Sequence, residues 1–254
     1  MDKKYLARGR NFSIEDFIVD GRLSYYKDRL FFIQHLMPYC LFVDKFIGRK
    51  VLEIGIGDGF GSFYLQKNGL EVTALDIDYE AGQLLNKQYL ERCSIKINFV
   101  NGDATNLPFK DNSFDGVITC QVIEHIPEDY IVNFLKEIKR VLKKEGSCLI
   151  STLNLEHNVK NPKTYQKFCQ HHKEFTKDSL ENTLKEVFDK IELLGLELTL
   201  KHRLFRRLKK WGLMKYKFRH NPVINFYDNV TPSYFIFSPK INKQTVDLIA
   251  FCRK

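Results

Sequence analysis

The sequence lacks the features of secreted, disulfide-stabilised and membrane-spanning proteins. Its first ten residues, MDKKYLARGR, contain no apolar segment followed by a small-residue cleavage site. The most apolar early run, 31–47, is interrupted by charged and polar residues and a proline, so it is too broken to span a bilayer. The six cysteines show no C-x-x-C pair and no metal-ligand spacing, and they lie at positions 40, 93, 120, 148, 169 and 252. We therefore expect a cytoplasmic protein with buried free thiols and no bound metal.

Outside one short segment, the chain carries no excess of positive charge. The chain carries 40 Lys or Arg and 31 Asp or Glu, which gives a net charge of +9. Residues 201–220 hold nine of the basic residues and no acidic one, so 31 residues of each sign remain elsewhere. This distribution argues against a chain-wide surface for nucleic acid and favours one local basic feature.

Apolar residues within the basic segment are spaced as on a helix. Leu204, Leu208 and Trp211 share one predicted helical face, and Phe205 lies beside them. A cationic amphipathic helix of this kind can lie on an anionic membrane surface or contact phosphate groups, which would make the protein peripheral to a membrane. It can equally pack Leu208 and Trp211 on the protein body and leave its charges in water.

Strand-like and helix-like runs alternate between residues 50 and 153. The predicted strands are 50–54, 71–77, 95–100, 114–120 and 147–153, with two more at 190–200 and 244–252. The predicted helices are 60–68, 79–91 and 128–144, and Gly146 closes the last. Alternation of this kind predicts an α/β fold with a doubly wound, mostly parallel sheet and helices on both faces.

The chain shows no internal repeat and no linker that would divide it, so we predict a single domain over 1–254. Residues 1–48 are predicted to be a helical extension that Pro38 interrupts. The segments 154–175 and 201–235 are interpreted as substrate-side insertions, and a helix is predicted to begin near Thr176.

The most informative motif is VLEIGIGDGFG, from Val51 to Gly61. Glycines are needed where a strand turns sharply into a helix and its backbone must lie against a ligand. Asp76 ends the next predicted strand, 21 residues after Gly55, which places a carboxylate beside the turn at a position suited to a ribose diol. A dinucleotide fingerprint, G-x-G-x-x-G, would require a glycine where this chain has Phe60.

The pattern E-x-G-x-G-x-G resembles the first motif of class I S-adenosylmethionine (SAM)-dependent methyltransferases. The resemblance continues in order through NGDATNLPF, DNSFDGVITCQVIEHI and VLKKEGSCLISTLN, and covers residues 50–153. It implies a Rossmann-like methyltransferase fold with a seven-stranded sheet and SAM as the cofactor. In its motifs the sequence is most similar to ubiquinone-type O-methyltransferases. It is also similar to methyltransferases that are encoded together with polysaccharide- or lipid-modifying functions.

The resemblance also implies roles for individual residues. Glu53 would support the methionine end of the cofactor indirectly, and Gly55, Gly57 and Gly59 would let the backbone approach it. Asp76 would hold the ribose hydroxyls, with Ile77 against the adenine. The remaining implied cofactor contacts are Asp103 and Ala104 at the adenine edge and Gln121 near the sulfur. For Asp103 a simple turn role remains an alternative.

The segment QVIEHI supplies the predicted catalytic residues, Glu124 and His125. A histidine is the better general base because its ordinary pKa lies near neutrality. Alternatively, Glu124 and His125 could have a purely structural role. They could also bind a divalent cation, since Q-x-x-E-H resembles the metal-binding E-x-x-E-H of ubiquinone-type and small-RNA 2′-O-methyltransferases, with His171 or His172 as a further ligand. Gln121 replaces the first acid and weakens a hard-cation site, so we predict no metal.

The predicted function is O-methylation of a small-molecule, sugar or glycolipid acceptor. The segment HHKEFT resembles one that closes over the site in polysaccharide- and lipid-related methyltransferases, which favours a glycan-like acceptor. One alternative is an RNA 2′-O-methyltransferase, favoured by the basic segment. Another is a non-catalytic SAM-binding module that acts through a partner. The sequence gives no prediction of the oligomeric state.

Overall fold

The computed structural model describes residues 18–19, 22–23, 29–83, 96–159, 163–213 and 221–254. The helices are α1 (Arg29–Lys45), α2 (Phe60–Lys67), α3 (Ile131–Val141), α4 (Leu155–Asn158), α5 (Lys177–Lys185), α6 (Leu200–Lys210) and α7 (Pro222–Asp228). The strands are β1 (Ile18–Val19), β2 (Arg22–Leu23), β3 (Lys50–Ile54), β4 (Glu71–Asp76), β5 (Asn98–Asn101), β6 (Phe114–Cys120), β7 (Leu142–Leu153), β8 (Lys190–Leu198), β9 (Phe235–Ser238) and β10 (Thr245–Arg253).

Eight strands form one sheet in the order β5-β4-β3-β6-β7-β10-β8-β9. The pairs from β5 to β7 are parallel, whereas β10 runs antiparallel to both β7 and β8, and β9 runs antiparallel to β8. The predicted α/β fold with a mostly parallel sheet is confirmed. The predicted count of seven strands is wrong, because β9 forms an additional edge strand that the sequence analysis did not identify.

Helices cover both faces of the sheet, and each face has its own apolar core. One core contains α1 and α2 together with α7, and the other contains α3 and α5. Successive strand residues alternate between the two cores, as Val51 and Leu52 of β3 show. The central strands are therefore buried on both faces, which explains their nearly continuous apolar runs.

Helix α1 is continuous through Pro38, so the predicted interruption is wrong. A proline removes one backbone hydrogen bond, but α1 buries a long set of apolar side chains against the sheet, and this packing outweighs the loss. Earlier in the chain, β1 and β2 pair as two short antiparallel strands, although a helical extension was predicted there. The rest of 1–28 lies outside the described residues.

Several predicted boundaries differ from the structure. The predicted helix 128–144 is a 3₁₀ turn at Glu128–Tyr130 followed by α3, and β7 begins at Leu142, so Gly146 lies inside a strand. The predicted helix 79–91 is helical over 79–83, and residues 84–95 lie outside the described part. The helix predicted near Thr176 is present as α5, with Thr176 forming a capping box.

The cysteines in the described residues differ in their burial. Of the five cysteines in the described residues, all are free thiols; Cys40, Cys148 and Cys252 are buried, Cys120 is half-buried, and Cys169 is exposed, contrary to the expectation of burial.

No helix in the described part of the chain is long and apolar enough to cross a bilayer.

The parallel arrangement positions the functional residues. Because β3, β4, β5, β6 and β7 run in the same direction, their carboxyl ends lie at one edge of the sheet. The turns that follow β3, β4 and β6 therefore meet there. In open α/β sheets this edge is where ligands bind.

Candidate functional site

The glycine-rich turn after β3 has the backbone conformation that its sequence predicts. Gly55, Gly57 and Gly59 all have positive φ angles, of 75°, 54° and 81°. A Cβ on Gly55 would lie 2.3 Å from a methyl group of Val122, so this position admits no side chain. A Cβ on Gly57 would meet nothing within 4 Å, because Gly57 faces an open cleft. The turn thus presents bare backbone to a ligand.

Asp76, at the carboxyl end of β4, anchors this turn. Its Oδ2 accepts a hydrogen bond from the backbone N–H of Ile56 (2.9 Å), and its Oδ1 accepts one from the N–H of Asp78 (2.9 Å). A carboxylate has about four acceptor positions, so two such bonds leave capacity for a diol. The spacing between Asp76 and the glycines therefore predicted a real contact between the two turns.

Two adjoining cavities lie along the carboxyl edge of the sheet. The larger, of about 870 Å³, is lined by the glycine turn, by Gln121, and by His35 and Tyr39 of α1. The smaller, of about 500 Å³, is lined by the residues after β4, β5 and β6. Gly55, Asp76 and Val122 line both, so the cavities form one cleft. Their volumes are those of ordinary small-molecule sites.

The smaller cavity contains the residues predicted to hold an adenine. Ile77, Asp103, Ala104 and His125 all line it. Ile77 is 76% exposed, which is unusual for a large apolar side chain and leaves a surface for a flat ring to cover. Oδ1 of Asp103 accepts hydrogen bonds from the N–H (2.7 Å) and hydroxyl (2.8 Å) of Thr105, so Asp103 also has the turn role left open by the sequence.

Glu53 lies beneath the cleft and lines neither cavity. Its Oε1 accepts a hydrogen bond from the hydroxyl of Tyr39 (2.6 Å), and its Oε2 accepts one from Ser62. The side chain is fully buried, and burial raises the pKa of the carboxyl to about 7. A Cβ on Gly61 would lie 2.3 Å from both Glu53 and Tyr39, so this glycine permits their close approach. Glu53 thus acts on the cleft through Tyr39.

The structure adds two residues that the sequence analysis missed, His35 and Tyr39. They lie four residues apart on α1, so they share one helical face, and that face borders the larger cavity. Nδ1 of His35 is 2.8 Å from the carbonyl of Phe31, which can only accept, so Nδ1 carries the proton and Nε2 is the basic nitrogen. Burial lowers the pKa of His35, which keeps the ring neutral. The i,i+4 spacing was visible in the sequence, but nothing there placed α1 at the cleft.

Glu124 and His125, the predicted catalytic pair, lie in a 3₁₀ turn after β6. His125 is exposed at the smaller cavity, and its Nδ1 donates to the carbonyl of Gln170 (3.1 Å). Although the residue is exposed overall, partial desolvation of its ring lowers the pKa of His125. Glu124 is 1% exposed and lines neither cavity, and burial raises its pKa to about 7. Their predicted role as catalytic residues stays a prediction.

The insertion 154–175 packs on this turn. The backbone N–H groups of His172 and Lys173 donate to the carbonyl of Glu124 (2.7 and 3.2 Å). As a result, ligand atoms of Glu124, His125 and His171 lie within 4.8 Å of one another, a spacing that could hold a cation. Nδ1 of His171 contacts Glu174 (2.9 Å), which orients its ring. The predicted absence of a metal stays a prediction.

Comparisons with known proteins identify the domain that builds this cleft. Residues 52–150 match the family model described as a methyltransferase domain. The chain is 30% identical over 128 residues to a protein of Mycolicibacterium smegmatis named as a probable S-adenosylmethionine-dependent methyltransferase; the match covers 50% of this chain and 47% of that protein. It is 39% identical over 101 residues to the sterol 24-C-methyltransferase ERG6B of Gibberella zeae, covering 39% of this chain and 26% of that protein.

Residues 52–150 form a class I SAM-dependent methyltransferase domain. The fold is also similar to the crystal structure of a SAM-dependent methyltransferase of Thermotoga maritima, with a TM-score of 0.61 and 16% sequence identity, over 89% of this chain and 93% of that one. The matched segments span half or less of the curated relatives' length.

SAM fits the cleft that this methyltransferase domain forms. The bare glycine turn, the Asp76 carboxylate and the exposed face of Ile77 suit a backbone-bound amino acid, a ribose and an adenine respectively. The cleft continues beyond Gln121 towards α1, where His35 and Tyr39 add polar groups. Sequence motifs identified the cofactor end of this site, and only the fold reveals the α1 end.

Proposed function

We propose that the protein transfers the methyl group of SAM to an oxygen atom of a lipid or glycan-type acceptor. The observation that carries this proposal is the extension of the larger cavity past the glycine turn to α1, where an acceptor has room beside polar side chains. The similarity of 101 residues of this chain to a sterol 24-C-methyltransferase supports a lipid-type acceptor, whereas the choice of oxygen as the methylated atom rests on the sequence resemblance to O-methyltransferases.

When bound, SAM supplies an activated methyl group, so the protein's main task is alignment. Positioning of this kind is worth about 7–11 kcal/mol. The glycine turn and Asp76 hold one reactant, while Tyr39 is fixed in place by its hydrogen bond to Glu53. Together they define the direction from which an acceptor oxygen approaches.

A hydroxyl acceptor must also lose a proton. We propose His35 as the base, because its Nε2 is the basic nitrogen and its ring borders the same cavity as Gln121. His125 borders the smaller, adenine-side cavity instead. A positioned base contributes about 10²–10⁴-fold to the rate.

The test is isotope transfer from methyl-labelled SAM into cell extracts, which are then fractionated into lipid, glycan, RNA, protein and small-molecule pools. We expect label in the lipid or glycan pool. Label in protein alone, or in RNA alone, would contradict the proposed acceptor class. Chelating divalent cations is expected to leave the rate unchanged, in keeping with the predicted absence of a metal.

The base is tested with the acceptor identified in this way. The variant His35→Ala is expected to lower kcat by about 10²–10⁴-fold with an unchanged Kd for SAM. Exposed His172, which lines neither cavity, supplies the control His172→Ala. If His125→Ala abolishes turnover and His35→Ala does not, the base is His125, as the sequence predicted.

A further inference from the structure

Helix α6 begins at the same edge of the sheet as the cleft. Strand β8 is antiparallel to β10, which is antiparallel to β7, so β8 runs in the same direction as β7. Its carboxyl end at Leu198 therefore reaches the ligand-binding edge. Helix α6 begins two residues later, at Leu200.

One face of α6 presents large apolar side chains to solvent. Leu200 is 78% exposed, Leu204 is 54% exposed and Trp211, the residue after the helix, is 75% exposed. Spacings of four and seven residues place all three on one side of the helix. Leu208, which the helical spacing groups with Leu204 and Trp211, instead packs against the apolar core.

The opposite face of α6 anchors the helix to the protein body. The ring of Phe205 stacks on that of Phe226 of α7, with centroids 4.0 Å apart. His202 is fully buried in the same region. Because the helix is fixed through these residues, the exposed apolar residues on its other side are not needed for its packing.

Cations surround the exposed apolar residues. The 11 residues of α6 include six Lys or Arg and no acid. Arg206 and Arg207 line a groove of about 420 Å³ together with Leu200, Leu204 and Lys243. Among the described residues, no carboxylate forms a salt bridge with either of these arginines. The groove thus combines apolar side chains with positive charge, which suits an anionic headgroup attached to a hydrocarbon phase.

We propose that α6 docks on the surface of an anionic lipid bilayer, with Leu200, Leu204 and Trp211 inserted among the headgroups and Arg206 and Arg207 bound to lipid phosphates. Because α6 begins at the edge of the sheet that carries the cleft, docking brings this edge close to the membrane. The further statement that the acceptor enters from the bilayer rests on the proposed function. Docking itself does not require catalysis.

Trp211 provides a direct probe because it is the chain's single tryptophan. The purified chain is mixed with vesicles of phosphatidylcholine containing phosphatidylglycerol, and with vesicles of phosphatidylcholine alone. We expect the emission of Trp211 to shift to shorter wavelength with the anionic vesicles only, and brominated lipid acyl chains to quench it. Co-flotation of the protein with the vesicles measures the affinity.

Two variants test the roles of charge and apolar contact. The double variant Arg206→Glu, Arg207→Glu is expected to weaken vesicle binding by at least about 30-fold, since each basic residue near an anionic surface contributes to attraction. Leu204→Ser is expected to weaken it by about tenfold. The matched control, Lys136→Glu with Lys144→Glu, makes the same charge change at exposed positions outside α6 and is expected to retain binding.

Three results would overturn the proposal: an unshifted Trp211 emission with anionic vesicles, a shift without quenching by brominated chains, or vesicle binding that survives the charge reversal at Arg206 and Arg207. Binding of duplex RNA, with a steep salt dependence and no vesicle binding, would assign the surface to nucleic acid instead. Isotope transfer to a water-soluble acceptor with intact vesicle binding would contradict the lipid acceptor and leave docking supported.

Discussion

At the scale of single residues, the unusual feature is a fully buried carboxyl group beneath the cofactor turn. Glu53 accepts hydrogen bonds from Tyr39 and Ser62, and burial raises its pKa from the ordinary 4.5 to about 7. A proton is therefore bound more tightly by Glu53 in the folded state than in the unfolded state. The stability that this provides is fully present below pH 4.5 and is lost as the pH rises towards 7.

This titration predicts a pH-dependent difference between the wild type and Glu53→Gln. The glutamine amide cannot ionise, so the variant does not lose this stability as the pH rises. Between pH 4.5 and 7.5, we expect the free energy of unfolding of the wild type to fall by about 3 kcal/mol relative to the variant. Denaturant unfolding at a series of pH values measures this difference.

Glu124 and Asp247 also have pKa values raised to about 7 by burial, but both proteins contain them, so their contributions cancel in the difference. A constant stability difference across the pH range would show that Glu53 is not buried as described. If the free energy of unfolding of the wild type instead rose relative to the variant as the pH increased, the folded state would favour the ionised form of Glu53.

Sequence spacing identified the cleft residues that follow the strands, but not those on the surrounding helices. Asp76 follows the glycine turn at a fixed distance because both belong to consecutive parallel strands, and the strand ends meet by geometry. His35 and Tyr39 reach the cleft only because α1 packs on the sheet and against α2. This packing depends on long-range contacts, which a local pattern does not encode.

At the scale of elements, the existence of strands and helices was predicted more reliably than their ends. Strands 50–54 and 114–120 agree with β3 and β6, because buried parallel strands are continuous apolar runs. Strand β7 begins at Leu142, where helical and strand patterns overlap in the sequence. Strand β9 has only four residues and pairs with β8 at the edge of the sheet, so it gave little periodic signal.

Helix α3 supports the smaller cavity through one arginine. The guanidinium of Arg140 donates to the carbonyls of Leu107 (3.0 Å) and Phe109 (2.7 Å) and to the carboxylates of Asp111 (2.8 Å) and Glu137 (2.7 Å). Its hydrogen bond to Glu137 lowers the pKa of that carboxyl. The loop that it holds directly follows the turn containing Asp103 and Ala104.

Removing the Arg140 side chain is expected to loosen the loop at 107–111. We expect Arg140→Ala to lower the free energy of unfolding by about 2 kcal/mol, because several charge-assisted hydrogen bonds are lost, and to weaken cofactor binding. Chemical unfolding and SAM titration measure the two effects. Lys136→Ala, at an exposed position of the same helix, is the control. Equal stability of the two variants would contradict the supporting role of Arg140.

At the scale of the whole molecule, the candidate functional residues lie at one edge of the sheet. The glycine turn, Asp76 and the α1 residues surround the cleft at this edge, and the basic helix α6 begins there. The sequence showed that the positive charge was local, but not that the basic helix begins at the same edge of the sheet as the glycine turn. That arrangement follows from the direction of β8, which depends on its pairing with β10.

The central claim is that the cleft binds SAM through the turn that Asp76 anchors. Calorimetric titration of SAM into the wild type, Asp76→Ala and the exposed control Asp129→Ala tests it, with thermal melting to establish that each protein is folded. The wild type and Asp129→Ala should bind one SAM, and Asp76→Ala should bind at least about tenfold more weakly. Absence of SAM binding by the folded wild type, or equal binding by folded Asp76→Ala, would contradict the account.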